Sequence, residues 1–159
     1  MQPYKFSIVK KNYFEFTTTA GISYACFFIS YADYFKDFKE VADSIYSVNL
    51  EVLGKNKHNV ALDERTGLTI VEILKSFLSK LEEAVVYVCD NSDGRELLRK
   101  RKFDIWFRKY DDGTIIKVDG HIVIPNFDIY NAILIHKDNP NKNRFIEVFT
   151  ELNETSNEK

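Results

Sequence analysis

The chain has 159 residues, 45% of them hydrophobic and 29% charged, a balance that is typical of one folded domain and excludes an intrinsically disordered protein. Its formal net charge of −2 excludes a polyanion-binding role for the surface as a whole. The sequence has no apolar run of membrane-spanning length and no signal-peptide core at its start, so we expect a cytoplasmic protein without membrane contact.

The first third of the chain is predicted to form strands. Apolar and polar residues alternate over residues 4–9, and residues 13–19 are rich in the aromatic and β-branched residues that suit strands. The short connections between these two runs and a third over residues 22–31 require antiparallel neighbours. The third run is almost continuously apolar, which predicts a central strand covered on both faces. Residues 44–53 predict a fourth strand. Residues 32–43 are compatible with one or two helical turns or with a packed loop.

The first long helix is predicted over Ile70–Glu82. Its apolar residues recur at the spacing of one helix face: Ile70, Ile73, Leu74, Phe77, Leu78 and Leu81. Thr69 is the predicted N-cap, and Glu72 would complete a capping box with it. The pattern indicates a helix that packs in the core.

A hairpin is predicted near the C-terminus. Asp119-Gly120 lies between the apolar runs Thr114–Val118 and His121–Ile124, and a two-residue Asp-Gly loop is a strong hairpin signal. Ile129–His136 predicts one more strand.

The last helix is predicted to begin at Asn139-Pro140, with the asparagine as N-cap and the proline at the first helical position. We therefore expect an α+β fold, in which one antiparallel sheet of several strands packs with about three helices. Residues 1–153 would form this single domain, and residues 154–159 would form a frayed polar tail.

Between residues 84 and 110 an apolar strand, a polar turn and a basic helix follow one another. Seven cations oppose two acids over residues 95–109, which gives this segment a charge of +5 and leaves −7 for the rest of the chain. The cations are Arg95, Arg99, Lys100, Arg101, Lys102, Arg108 and Lys109. This helix is the part of the chain predicted to attract an anionic partner.

The turn sequence CDNSDGR at residues 89–95, with Arg99 and the Trp106-Phe107 pair behind it, resembles a family of short bacterial proteins catalogued only as a domain of unknown function. Further matches are spread over most of the chain: Tyr13, Phe16, Thr18, Gly21, Tyr24, Asp63, Arg65, Thr69 and Asn139-Pro140. The resemblance implies a bacterial, cytosolic protein. The family has no established activity, so the resemblance indicates no catalytic residues.

The simplest interpretation of the turn is structural. Asp93 would cap the basic helix and Glu96 would complete a variant of the capping box. Asp90 would close the turn with its side chain and pair with Arg95 or Arg99. Caps and turns account for most clusters of this kind, so we prefer this interpretation.

Two alternatives make the turn catalytic. Cys89 and Arg95 have the Cys-x5-Arg spacing of thiolate phosphatases, although Asp90 and Asp93 would repel a phosphate held between them. Alternatively, Asp90 and Asp93 hold Mg²⁺ while Arg95 and Arg99 contact a phosphodiester, as in a metal-dependent phosphoryl-transfer enzyme or nuclease. No third acid is evident for the metal, and the two cysteines have no zinc-site spacing, so we predict no metal and no cofactor.

The basic helix places Arg95, Arg99, Lys102 and Trp106 along one stripe. Cations beside an aromatic suit phosphate contact and base stacking, whereas a solvated face that serves solubility is the plainer alternative. The candidate functional surface is Asp90, Ser92, Asp93, Arg95, Arg99, Lys102 and Trp106. We expect a binding or regulatory module that acts on a protein or nucleic-acid partner through residues 90–106. The sequence leaves open whether the protein is an enzyme.

Overall fold

The computed structural model of the chain describes residues 1–54, 63–90, 96–125 and 127–157, with the backbone alone for residues 90, 96, 99 and 127. One seven-stranded sheet has the order β1-β2-β3-β4-β5-β7-β6. The strands are β1 (Phe6–Lys10), β2 (Tyr13–Thr17), β3 (Ser23–Ser30), β4 (Ile45–Leu53), β5 (Ala84–Asp90), β6 (Ile115–Ile124) and β7 (Phe127–His136). The helices are α1 (Lys39–Ala42), α2 (Glu64–Leu78), α3 (Glu96–Tyr110) and α4 (Lys142–Asn157), with a 3₁₀ turn at Ala32–Phe35. The predicted α+β fold is confirmed.

The first four strands form the predicted antiparallel meander. Aromatic rings face one another across it, as where Phe16 stacks on Tyr24 with centroids 5.3 Å apart. The predicted coverage of β3 on both faces holds only for its first half, because Ala25 and Cys26 are fully buried whereas Ile29 is 51% exposed.

Strands β4 and β5 run parallel, which the sequence analysis did not predict. Ile45 pairs with Ala84 and Ser47 with Val86, and α2 makes the connection between the two strands. A parallel pair requires a crossover of this kind, because a short turn can join only antiparallel strands. Every other pairing among the described strands is antiparallel.

Helix α2 begins six residues earlier than predicted, and Thr69 is not its cap. Asp63 is the N-cap: its carboxylate accepts a hydrogen bond from the backbone N–H of Thr66 at 2.6 Å. Thr69 is buried inside the helix, where its hydroxyl donates to Arg65 O and accepts from the backbone N–H of Tyr4. The helix therefore uses Thr69 to hold the N-terminal segment against its side.

The predicted Asp119-Gly120 turn is wrong, because β6 runs without interruption through both residues. Strand β6 pairs with β7 over ten residue pairs, from Ile115 opposite His136 to Ile124 opposite Phe127. The many backbone pairs and apolar contacts of this long hairpin outweigh the local turn preference of two residues.

The sheet carries helices on both faces. Helices α2 and α3 cover one face over an aromatic-rich cluster that includes Phe14, Phe28, Phe77 and Phe103. Helix α4 and the 3₁₀ turn cover the other face over a second cluster that includes Phe35, Ile133, Phe145 and Phe149. We call these the α2–α3 face and the α4 face.

Regular helix α4 begins at Lys142, two residues after the predicted start. The Asn139 side chain still has the role of a cap, since its Oδ1 accepts from the backbone N–H of Asn141 at 2.8 Å. The helix continues to Asn157, whose amide exchanges hydrogen bonds with Val123 and His121 on β6. Helical structure thus includes part of the segment 154–159 that was predicted to be a tail.

Candidate functional site

The structure describes part of the candidate surface. Ser92, Asp93 and Arg95 lie outside the described residues, and Asp90 and Arg99 are described by their backbone alone. The capping, magnesium and phosphate interpretations of the turn therefore stay predictions. Lys102 and Trp106 are described in full.

Trp106 belongs to the core. It is 9% exposed, and its indole ring covers Gly67 in α2. Lys102 is exposed and places its ammonium 5.8 Å from the centre of the Trp106 ring. Stacking of a nucleic-acid base on Trp106 is consequently blocked by α2 on one side.

Trp106 is buried because it lies on the apolar side of α3. Phe103 and Trp106 are buried, and Phe107 and Tyr110 are half-buried, so the apolar residues recur at steps of three and one along the helix. Phe103 stacks on Tyr87 of β5 with ring centroids 4.1 Å apart. The helix is thereby fixed in its rotation about its own axis, and the opposite side faces solvent.

A chain of charges links the flank of α3 to strand β6. The Asp104 carboxylate lies 2.6 Å from the Lys100 ammonium and 2.8 Å from that of Lys117, whose side chain is only 11% exposed. Lys117 also pairs with Asp119. Burial disfavours ionised Asp104, but hydrogen bonds from the two lysines outweigh it and hold the pKa of Asp104 below its ordinary value. The hydrogen bond to Asp104, opposed by burial, raises the pKa of Lys100. The cluster is balanced in charge and holds α3 to the sheet edge.

Cys89 is 1% exposed, and it borders a cavity of only about 10 Å³ together with Lys100, Asp104 and Lys117. Such a space holds at most one water molecule. Neither Cys89 nor Cys26 forms a disulfide, and burial raises the pKa of Cys26 to about 12.

The solvent side of α3 carries a second stripe, which the sequence analysis did not single out. Leu97, Arg101, Ile105 and Arg108 follow one another at steps of four, four and three, and we call them the outer stripe. Leu97 and Ile105 are 55% and 49% exposed, and both arginines are exposed. With Tyr130 of β7 and residues of the charge cluster, the stripe bounds a groove of about 490 Å³.

The two arginines of the outer stripe differ from their basic neighbours in their pairing. Lys100 is paired with Asp104, and Lys109 with Glu64 at 2.8 Å. Among the residues whose side chains the structure describes, no aspartate or glutamate forms an ion pair with Arg101 or Arg108. The groove therefore presents two guanidinium groups beside exposed apolar side chains.

The signal for the outer stripe was present in the sequence. The apolar spacing of Phe103, Trp106, Phe107 and Tyr110 assigns the buried side of α3, and the outer stripe lies opposite it. Trp106, which the sequence analysis placed on the candidate surface, belongs to the buried side instead.

No group of three or more His, Cys, Asp or Glu side chains suited to a metal ion occurs among the residues with described side chains. His121 stacks on Tyr130 with centroids 4.2 Å apart and lies 3.2 Å from the Asp128 carboxylate. The Nδ1 atom of His136 accepts a hydrogen bond from the backbone N–H of Asp138.

No curated protein matches the chain in sequence. A family model described as a family of unknown function (DUF6169) matches residues 62–151. The matched residues include the 89–95 segment, α3, the charge cluster and Asn139-Pro140. Strands β1–β3, which contain other residues that resemble the family, lie before the matched part. The matched part covers more than half of the chain, and the protein belongs to this family of unknown function (DUF6169).

Proposed function

We propose that the protein is a protein-binding module, and that the groove along the outer stripe receives an acidic, amphipathic segment of a partner protein. One observation carries the proposal: Leu97 and Ile105 are exposed beside Arg101 and Arg108, for which the described residues supply no acidic partner. Exposed apolar groups on one side of a helix, rimmed by charge, are typical of protein contacts. The family resemblance of the sequence leads us to place this module in the bacterial cytoplasm.

The chemistry of the groove favours a protein partner over a nucleic acid. A nucleic-acid surface combines phosphate-binding cations with aromatic rings free to stack on bases. Here Trp106 is buried against Gly67, and Tyr130 already stacks on His121. The exposed apolar side chains of the outer stripe, Leu97 and Ile105, are aliphatic, and these suit the leucines of an amphipathic helix.

Charge complementarity selects an acidic segment. Residues 95–109 carry +5, and guanidinium groups form paired hydrogen bonds with carboxylates. Because Arg101 and Arg108 are exposed, these contacts would speed association and set specificity more than they raise affinity. Binding should weaken as salt concentration rises.

The test uses the full chain and a labelled probe peptide of about 15 residues, the length at which isolated helices become stable. The peptide carries leucine on one face and glutamate along both edges of that face. Fluorescence anisotropy should show binding, and Arg101→Glu/Arg108→Glu should weaken it by about tenfold or more.

A charge-matched control is available on the opposite face. Lys36 and Lys39 are exposed and close to the 3₁₀ turn, so Lys36→Glu/Lys39→Glu makes the same change in net charge away from the groove. This variant should bind the peptide as wild type does. The proposal fails if the two double variants behave alike, or if the peptide does not bind. Tighter binding of a single-stranded oligonucleotide than of the peptide would make the groove a nucleic-acid site.

A further inference from the structure

Strands β4 and β5 separate from each other part of the way along the sheet. In the described part of the chain, their parallel pairing ends at Ser47 and Val86, after three residue pairs. Strand β4 continues along β3 as far as Leu53, and β5 continues along β7 as far as Asp90. A gap therefore opens within the sheet, closed where the two strands meet and open towards their C-terminal ends.

Both strands direct backbone groups into this gap. The backbone N–H of Ala84 donates to the carbonyl that precedes β4, so the even-numbered residues of β5 turn their N–H and C=O groups towards β4. The carbonyl of Ile45 accepts from Tyr31 beyond the end of β3, which leaves the even-numbered residues of β4 facing β5. Leu50 and Val88 consequently turn backbone donors and acceptors into the gap, and both residues are 37% exposed.

Such strand edges select a polypeptide as the ligand. The N–H and C=O groups of a strand edge form hydrogen bonds with the backbone of an added extended chain. Here two edges face each other, so a chain between them can be paired on both sides. Because the gap is closed where β4 and β5 meet, an added chain cannot run through it and has to end there. The gap therefore favours the end of a polypeptide over an internal segment.

A cavity of about 310 Å³ adjoins the closed end of the gap on the α2–α3 face. Val48 and Tyr87, which directly follow the last strand pair, border it. Leu50 and Val88 also border it, so the cavity is continuous with the gap. The deeper walls are buried and apolar, and include Cys26, Ile70, Phe103 and Trp106. The volume is at the lower end of the range for ligand sites and suits one large apolar side chain.

Lys102 supplies a positive charge at this cavity. It is exposed, and its ammonium lies 5.8 Å from the centre of the Trp106 ring in the cavity wall. The next residue, Phe103, stacks on Tyr87, which places this turn of α3 over the closed end of the gap. In the part of the chain with described side chains, no aspartate or glutamate pairs with Lys102 or borders the cavity. The closed end therefore suits a carboxylate, the group that a polypeptide carries at its C-terminus.

We propose that the gap between β4 and β5 binds the extended C-terminus of a partner polypeptide. The terminal carboxylate pairs with Lys102, and the last side chain, a large apolar one, fills the cavity. The backbone of the partner pairs with the strand edges at Leu50 and Val88. The gap and the outer stripe are different surfaces, so this site does not depend on the role proposed for the groove.

The test uses the isotope-labelled full-length protein and a short acetylated peptide of alternating threonine and valine that ends in leucine. Its control is the same peptide with a C-terminal carboxamide, which removes only the charge. NMR titration should show the free acid bound about tenfold more tightly than the carboxamide. At saturation with the free acid, the backbone N–H groups of Leu50 and Val88 should exchange with water more slowly, because the added chain accepts hydrogen bonds from them.

Two changes separate the contributions of the carboxylate and the apolar side chain. Lys102→Gln, at an exposed position, should reduce the affinity for the free acid to that for the carboxamide. Lys36→Gln removes an exposed lysine beside the 3₁₀ turn, away from the gap, and should keep the difference between the two peptides. Glycine in place of the terminal leucine of the peptide should weaken binding by about tenfold or more, since the cavity is then left unfilled.

Octanoate distinguishes a polypeptide from a small molecule as the ligand. It has a carboxylate and an apolar body but no peptide backbone, so it should bind more weakly than the peptide and leave the exchange of Leu50 and Val88 unchanged. Binding as tight as that of the peptide would overturn the proposal and make the cavity a site for small carboxylates.

Other results would also contradict the proposed site. No binding of the free acid, or equal binding of the acid and the carboxamide, would refute recognition of a C-terminus. Equal losses of affinity in Lys102→Gln and Lys36→Gln would assign the effect to net charge. Slower exchange confined to residues outside β4 and β5 would place the peptide elsewhere on the protein.

Discussion

The indole ring of Trp106 lies on the backbone of Gly67, so closely that a Cβ atom at Gly67 would come within 2.5 Å of the ring. Gly67 is in the first half of α2 and Trp106 is in α3. This contact sets the distance between the two helices, and the absence of a side chain at Gly67 is what permits it.

Gly67→Ala should therefore destabilise the protein. Alanine in place of glycine inside a helix ordinarily adds about 0.5–1 kcal/mol to the free energy of unfolding. Here the added methyl group overlaps a rigid ring, and we expect a net loss of about 1–3 kcal/mol, measured by chemical denaturation. In a Trp106→Leu background the same substitution should cost much less. A stabilising Gly67→Ala in wild type would show that the ring moves aside freely.

Asp63 should contribute more to the stability of the protein than an N-cap that makes one hydrogen bond. Its carboxylate accepts from Thr66 N–H and, at 2.7 Å, from the Tyr4 hydroxyl. Asp63→Ala should lower the free energy of unfolding by about 2–3 kcal/mol, since the cap and a hydrogen bond to a charged group are lost together. Asp63→Ser keeps a capping oxygen and should recover about half of that loss. Tyr4→Phe should have little further effect in the Asp63→Ala protein, and full additivity of the two losses would contradict the contact.

Asp104 should make stability depend on pH in the acid range. Its pKa lies below the ordinary value in the folded protein, so the unfolded chain takes up a proton first as the pH falls below about 4. The stabilisation is complete above that pH and is lost as the pH falls through the folded pKa. Asp104→Asn should lower the free energy of unfolding at pH 7 by about 1–3 kcal/mol and should flatten its decline between about pH 5 and 2.

Asp119→Asn is the matched control for that experiment. Asp119 pairs with Lys117, as Asp104 does, but the Asp119 side chain is 55% exposed. Removal of its charge should therefore lower the free energy of unfolding by less than about 1 kcal/mol. Equal losses from the two substitutions would contradict the assignment of Asp104 as the centre of the cluster.

The 89–95 turn can be tested directly by mutation. If Asp93 caps α3, Asp93→Ala should cost about 0.5–2 kcal/mol, whereas Asp93→Asn should cost little. If Asp90 only closes the turn, Asp90→Asn should be nearly neutral. Neither Mg²⁺ nor a short oligonucleotide should then change the melting temperature of wild type or either Asn variant. A ligand-dependent rise in wild type that disappears in Asp90→Asn or Asp93→Asn would favour the phosphoryl-transfer alternative.

The order and type of most elements follow from the sequence alone, because backbone geometry imposes periods of two on strands and about 3.6 on helices. The meander, the helical face that includes Ile73, Leu74 and Phe77, and the strand before Cys89 all show these periods. The boundaries of the helices and strands are predicted less accurately from the sequence. Asp63 and Thr69 are both acceptable caps by residue type, and only the contact of Thr69 with Tyr4, 65 residues away in sequence, places it inside the helix.

Tertiary structure decided the features that depend on residues distant in sequence. Pairing with β7 carries β6 through Asp119-Gly120, because ten residue pairs outweigh two turn-forming residues. The packing of α3 on the sheet brings Tyr130 of β7 beside the outer stripe, and so makes a groove out of one exposed side of a helix. Gly120, Asn131 and Asn153 meet on the α4 face although they belong to three different elements. Local periodicity determines what each segment becomes, whereas complementary packing between segments determines which side chains come together.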